Sequence, residues 1–257
     1  MKRLLSLLTL CLAAAGAAVS TGAAAQNQAL TVAVAANMQS AFEEIRAEFT
    51  RRTGLQVKPV FNSSGRFVAQ VMNGAPFDVF LSADMMYPER LHKEGFAAAP
   101  PRVYAYGTLV LWTMQPLDLS DWQRLLASPA VRKVAIANPK SAPYGREALN
   151  ALRNLELEAP LKGKLVFGES VSQTNQYIHS RSVDAGITAK SVVLSPEMKD
   201  QGRWVELPGN SYQPIAQGVV VLKHGLDNNP KAAQQFSDFM LSRQARAVLQ
   251  RYGYTLP

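Results

Sequence analysis

Cysteine is all but absent. Cys11 is the only one in 257 residues, which excludes a disulfide framework and a cysteine-based zinc site. Histidine is nearly as scarce: with only His92, His179 and His224, no His-rich metal site is expected. No run of Lys and Arg carries interleaved aromatics, so the formal charge of +8 does not describe a nucleic-acid surface. It reads either as a field that draws in small anions or as an ordinary solvated basic exterior. Internal repeats, low-complexity linkers and charge runs are missing too, and beyond the first residues no apolar run approaches a membrane span of ~20 residues.

The one long apolar run is N-terminal. Lys2 and Arg3 precede Leu4 to about Val19, and Ala23-Ala24-Ala25 offers a small-x-small cleavage site before Gln26. This is the pattern of a secretory signal peptide, residues 1–25, rather than an anchor. Cys11 lies inside the apolar run, which argues against a lipoprotein site. Cleavage near Ala25 leaves an exported chain without cysteine, expected in the periplasm.

What is present is a globular composition, 47% hydrophobic and 18% charged, enough for one large domain or two modest ones. Leu30–Ala35 reads as a buried strand. Met38, Phe42, Ile45 and Phe49 then recur at helical spacing, with Asn37 as the expected N-cap. Strands at 57–61, 77–81, 108–112, 134–137, 165–167, 185–188 and 215–222 alternate with helical patterns at about 68–72, 87–93, 122–126, 149–152 and 171–178. Phe236 to Leu249 forms a closing helical segment. This rhythm predicts an α/β fold with mostly parallel sheets flanked by helices.

Four strand-to-helix junctions share one chemical character: Ala35-Ala36-Asn37-Met38, Asn62-Ser63-Ser64-Gly65, Ala142-Pro143-Tyr144-Gly145 and Glu169-Ser170-Val171-Ser172. In open α/β sheets ligands bind beyond the carboxyl ends of the strands, where such junctions gather. Helix N-termini there present unpaired N–H groups and the positive end of the helix dipole, which suits an anion. Ordinary capping by Asn or Ser is the plain alternative for each junction taken singly.

Nucleophilic catalysis reads poorly. Ser64 lacks a Gly-x-Ser-x-Gly elbow and has no histidine or lysine partner nearby in sequence. The three histidines read as residues of solvated faces, Asp78 and Asp84 as turn or capping residues, and Tyr104, Tyr106, Trp112 and Trp204 as core or inter-lobe residues.

The segments Thr31–Asn37, Phe61–Gly65, Gly74–Asp84 and Arg251–Thr255 resemble those of the ModA family, the periplasmic molybdate-binding proteins of ABC importers, and the resemblance runs along essentially the whole mature chain. It implies a two-lobed type II periplasmic binding protein. Residues 26–106 with 214–257 would form one lobe, 107–213 the other, and the oxyanion would sit between them. The family's positions carry over to Asn37, Ser64, Tyr144 (through its backbone N–H, its phenol or both) and Val171 (through its backbone N–H). Some members add a tyrosine where this chain has Ala189.

The resemblance implies a monomeric, non-enzymatic carrier of molybdate, and of tungstate, that delivers its cargo to a membrane permease. Molybdenum would be held as its oxyanion rather than coordinated by side chains, with no cofactor and no nucleic-acid partner. A donor-only site suits a dianion, whereas phosphate keeps a proton at neutral pH and calls for an acceptor, for which Glu147 and Glu169 stand near two junctions. The alternatives are a sulfate- or phosphate-binding protein and, from another class, an exported serine hydrolase using Ser64.

Overall fold

The computed structural model describes residues 29–97 and 99–257. The signal-peptide reading, its cleavage near Ala25 and Cys11 fall outside them. The strands are β1 (Leu30–Ala35), β2 (Val57–Asn62), β3 (Val79–Leu81), β4 (Arg102–Gly107), β5 (Leu109–Thr113), β6 (Val134–Ala137), β7 (Leu165–Gly168), β8 (Ala185–Ala189), β9 (Arg203–Glu206) and β10 (Ile215–Val221). The helices are α1 (Gln39–Thr53), α2 (Ser64–Met72), α3 (Met86–Lys93), α4 (Trp122–Ala127), α5 (Pro143–Asn154), α6 (Val171–His179), α7 (Lys190–Val193), α8 (Lys223–Asn228), α9 (Pro230–Phe239) and α10 (Arg243–Arg251).

These elements build two five-stranded sheets, ordered β2-β1-β3-β10-β4 and β7-β6-β8-β5-β9. In each, four strands point one way and one is reversed, β10 in the first and β5 in the second. The sheets are therefore mostly parallel, as the strand–helix rhythm requires. The chain passes from the first sheet to the second between Gly107 and Leu109, and returns between Glu206 and Ile215. The two outermost strands on the crossing side, β4 and β9, carry a weak pattern and were not expected from it. Each is an edge strand with a half-buried or exposed flank, so neither needs a continuous apolar run.

Packing follows the period-2 alternation of the strands. On β1, Leu30, Val32 and Val34 join Phe42, Ile45 and Phe49 of α1 and Phe236, Phe239 and Leu249 from the C-terminal helices. Ala33, between them, faces Phe67, Val68 and Leu91 of α2 and α3 on the other side of the sheet. Phe49 and Phe236 meet edge to face at 5.0 Å, a geometry that aromatic quadrupoles favour. The second sheet packs α4 and α5 on one face through Leu126, Ala148 and Leu152, and Ile178 of α6 on the other. Helix α1 stops at Gly54, whose φ of 73° places it in the left-handed region and whose N–H bonds Thr50 O at 2.8 Å.

Trp112 and Tyr104 are fully buried, as expected, but Trp204 is not a core residue: it lies 37% exposed on edge strand β9. His224 keeps a partly exposed side chain, as a solvated face requires, but it is also anchored. Its Nδ1 sits 3.1 Å from Oδ1 of buried Asp78, whose Oδ2 accepts the Thr31 N–H at 2.7 Å. Asp78 thus ties β1 to the start of β3 and to the β10–α8 connection. Asp84 does cap, accepting the Tyr87 N–H at 3.2 Å at the start of α3.

Candidate functional site

Both sheets turn the carboxyl ends of their parallel strands toward one another. Between them lies a small cavity lined by Ala35, Ala36, Asn37, Ser63, Ser64, Ala83, Ala142, Pro143, Tyr144 and Val171. The space between these residues is small, far below the roughly 300–1,000 Å³ of pockets that take drug-sized organic ligands. The polar side chains on its wall are buried, Asn37 at 3%, Ser63 at 3% and Ser64 at 0% exposure. A solute here is cut off from water and small. A larger hollow beside α5 and β7, lined by Leu149, Arg153, Leu165 and Phe167 among others, gathers none of these groups.

All four junctions meet at the cavity, so Asn37, Ser64, Tyr144 and Val171 come together on one wall set. Each begins a helical segment: a 3-10 turn over Ala36–Met38 that leads into α1, and then α2, α5 and α6. The opening N–H groups of a helix have no intrahelical partner. Those of Asn37, Ser64, Tyr144 and Val171 find none elsewhere among the described residues. Capping does not occupy them. The 3-10 turn, α2 and α5 have no side-chain cap, and only α6 has one, Ser170 Oγ accepting the Gln173 N–H at 3.3 Å. Unpartnered N–H groups at helix starts around one cavity suit negative charge.

Asn37 is not the expected N-cap. Its Nδ2 donates to Gln217 Oε1 at 2.9 Å and to Tyr254 OH at 3.0 Å, so its side chain is committed to the core behind the cavity. The donor it offers the cavity is its backbone N–H. Tyr144 behaves alike: its hydroxyl accepts from Gln217 Nε2 at 3.2 Å, beside the crossing at Gly107. Burial holds that phenol well above its ordinary pKa. Ala36 lines the cavity, whereas Ala189 does not.

Ser63 is the residue that sequence reasoning missed. The pair Ser63-Ser64 divides its work. Ser64 Oγ accepts the Ala83 N–H at 3.0 Å, which pins α2 to the end of β3. Ser63 occupies the N-cap position of α2 without capping it, and its Oγ is buried with no hydrogen-bond partner. Buried hydroxyls are rarely left so. The sequence gives no signal that separates the two serines.

No residue lining the cavity is charged. Arg146, on the first turn of α5, is turned away to Asp84 Oδ2 at 2.8 Å and Glu147 Oε1 at 3.3 Å. Glu147 also accepts from Asn150 Nδ2 at 3.2 Å and the Gln213 N–H at 3.1 Å. Glu169 pairs with Arg66 across the cleft. Neither carboxylate lines the cavity, so the acceptor that a protonated anion would need is not on its wall. No histidine or lysine stands there as a partner for Ser64 either.

The cleft is shut around this chamber. The Gly65 N–H bonds Ser141 O at 2.9 Å, Tyr87 OH donates to Lys140 O at 3.3 Å, and Ser172 Oγ donates to Gln39 Oε1 at 2.9 Å. Tyr254 OH joins the Asn37 carbonyl to Ser191 on α7, at 3.0 Å each.

Two lobes closed over a small, uncharged, donor-lined chamber define a class: an extracellular solute-binding protein of the two-lobed periplasmic type. The comparisons agree. The chain matches the bacterial extracellular solute-binding protein family over residues 30–255. It is 40% identical over 234 residues to the molybdate-binding protein ModA of Azotobacter vinelandii, covering 91% of this chain and 92% of that one. It is 39% identical to ModA of Rhodobacter capsulatus, covering 86% of each. The solved Azotobacter vinelandii periplasmic molybdate-binding protein superposes with a TM-score of 0.84 at 35% identity, over 89% of this chain and 99% of that one. Within the solute-binding class, the chain belongs to the ModA family.

Proposed function

We propose that this protein, exported to the periplasm as a monomer, captures molybdate, and tungstate with it, and delivers the anion to the membrane permease of an ABC importer. The observation that carries the reading is the convergence of four helical starts, each with an opening N–H that has no partner among the described residues, on a closed chamber without a charged wall residue. Asn37, Tyr144 and Val171 donate through backbone N–H groups, and Ser63 and Ser64 through hydroxyls. Uncharged dipoles fixed in place grip a dianion without an opposing charge, and they cost no reorganisation when it arrives. The names of the relatives supply the choice of molybdate over sulfate. Phosphate is disfavoured because Glu147 and Glu169 are engaged elsewhere.

The lobes are residues 26–106 with 214–257, and 107–213. Each contributes two of the helical starts, so a bound anion bridges them and favours closure. The protein acts as a carrier and not as a hydrolase, since Ser64 is held by Ala83 and faces no base on the cavity wall.

A thermal-shift panel tests this. A ligand that binds only the folded state stabilises it by about 4.1 kcal/mol at a thousandfold excess over its Kd. Molybdate and tungstate should raise the melting temperature far more than sulfate, phosphate or planar nitrate. A dominant phosphate response would replace the assignment, and no response to any oxyanion would remove it.

A further inference from the structure

Gln217 does not line the cavity, yet its one side chain reaches both halves of it. It is fully buried on β10, at the irregularity in pairing with β4 that falls between Gln217 and Gly218. Its Oε1 accepts from Asn37 Nδ2 at 2.9 Å and from Tyr104 OH at 3.0 Å, while its Nε2 donates to Tyr144 OH at 3.2 Å. Asn37 follows β1 of the first sheet, and Tyr144 opens α5 of the second. A single amide thus spans the two junction residues whose backbone N–H groups face the chamber from opposite sides.

The surroundings are cut to fit this amide. A Cβ at Gly107, where the chain crosses between sheets, would stand 1.9 Å from the Tyr144 hydroxyl and 2.9 Å from Gln217 Nε2. Only glycine leaves room for both. Tyr104 fixes the acceptor end of the amide from β4, with its own hydroxyl also 3.3 Å from Ser82 O. Tyr254 takes the other hydrogen of the Asn37 amide. Satisfying a buried amide explains why Gln217 has partners. It does not explain why two of them are cavity residues from opposite lobes, 180 and 73 positions away in the chain.

We infer that Gln217 is a positioning residue of the anion site, holding Asn37 and Tyr144 in register across the cleft so that their N–H groups converge on one point. Gln217 touches no solute; it acts through the two residues that do. The inference rests on the proposed capture of an oxyanion and adds the element that aligns the two lobes for it.

Titration calorimetry with molybdate, on the wild type, Gln217→Met, Tyr144→Phe and the double variant, tests it. Gln217→Met keeps the bulk and removes the amide. It should weaken binding about tenfold or more, the scale of one or two lost hydrogen bonds. The double variant should bind no worse than the weaker single one, because both changes break the same link. Gln217→Glu, which keeps the acceptor oxygen for Asn37 and Tyr104, guards against a Met variant that fails to fold. It should also bind weakly, since the donor to Tyr144 is gone and a carboxylate lies behind the anion. Wild-type affinity in either folded Gln217 variant, or strictly additive losses in the double variant, would overturn the positioning role while leaving oxyanion capture intact. A wild type that binds no oxyanion would overturn both.

Discussion

Gly65 donates its backbone N–H to the carbonyl oxygen of Ser141 at 2.9 Å, main chain to main chain across the closed cleft. A Cβ at Gly65 would stand 2.9 Å from that oxygen and 3.0 Å from the Ser141 Cα. It would also stand 2.6 Å from the Tyr87 hydroxyl, the end of a side chain that can swing aside. The Ser141 backbone can yield only if the lobes part.

Gly65→Ala should therefore leave the fold intact, since alanine suits the first turn of α2, and should impair closure. Affinity for the anion is expected to fall by about tenfold, through the weakened clasp. Small-angle scattering with saturating molybdate should show a less compact particle than the wild type. Equal compactness and equal affinity would show that the contact does not limit closure.

Ser63→Ala and Ser64→Ala should separate binding from folding. Each removes a hydroxyl donor to a charged solute, a loss of about 1.5–3 kcal/mol in binding. Ser64→Ala also strips the partner from the buried Ala83 N–H, so the unliganded protein should lose about 1–3 kcal/mol of stability. Ser63→Ala orphans nothing, because its hydroxyl has no protein partner, and the unliganded melting temperature should not fall. Melting curves with and without molybdate check both. A destabilised Ser63→Ala would mean that its hydroxyl serves the fold.

Much of this was legible in the sequence, and the missing part has a common cause. Apolar periodicity located the strands and helices that bury a full face, such as Leu30–Ala35 and the α1 stripe, but not edge strands β4 and β9. The four junctions stood out by residue type. What each side chain does there was not legible, because the deciding partners are remote. Asn37 is drawn from capping by Gln217 and Tyr254, 180 and 217 positions away. Ser64 Oγ accepts from Ala83 in the loop after β3, whereas the Ser63 hydroxyl has no protein partner. The pairing of His224 with Asp78, 146 positions away, was illegible for the same reason.

The hydroxyls around the site set a limit at high pH. Burial raises Tyr104 and Tyr144 well above the ordinary tyrosine value and pushes Tyr254 up to about 12. An unfolded tyrosine loses its proton near pH 10, whereas these keep theirs in the folded state. Above about pH 10 the unfolded state thus binds fewer protons, and stability must fall with rising pH until the folded pKa is passed. Below pH 10 these groups contribute their full stabilisation. Denaturant melts from pH 8 to 11.5 should show a flat region and then a decline, shallower in Tyr254→Phe. A decline of equal slope in that variant would exclude Tyr254 as a contributor.

The most direct measurement is anomalous diffraction at the molybdenum edge from crystals grown with molybdate. The account predicts a single strong peak in the chamber between the lobes, with the anion's oxygens within hydrogen-bond reach of the backbone N–H groups of Asn37, Tyr144 and Val171 and the hydroxyls of Ser63 and Ser64. A peak elsewhere, or a peak in the chamber with those donors turned away from it, would contradict it.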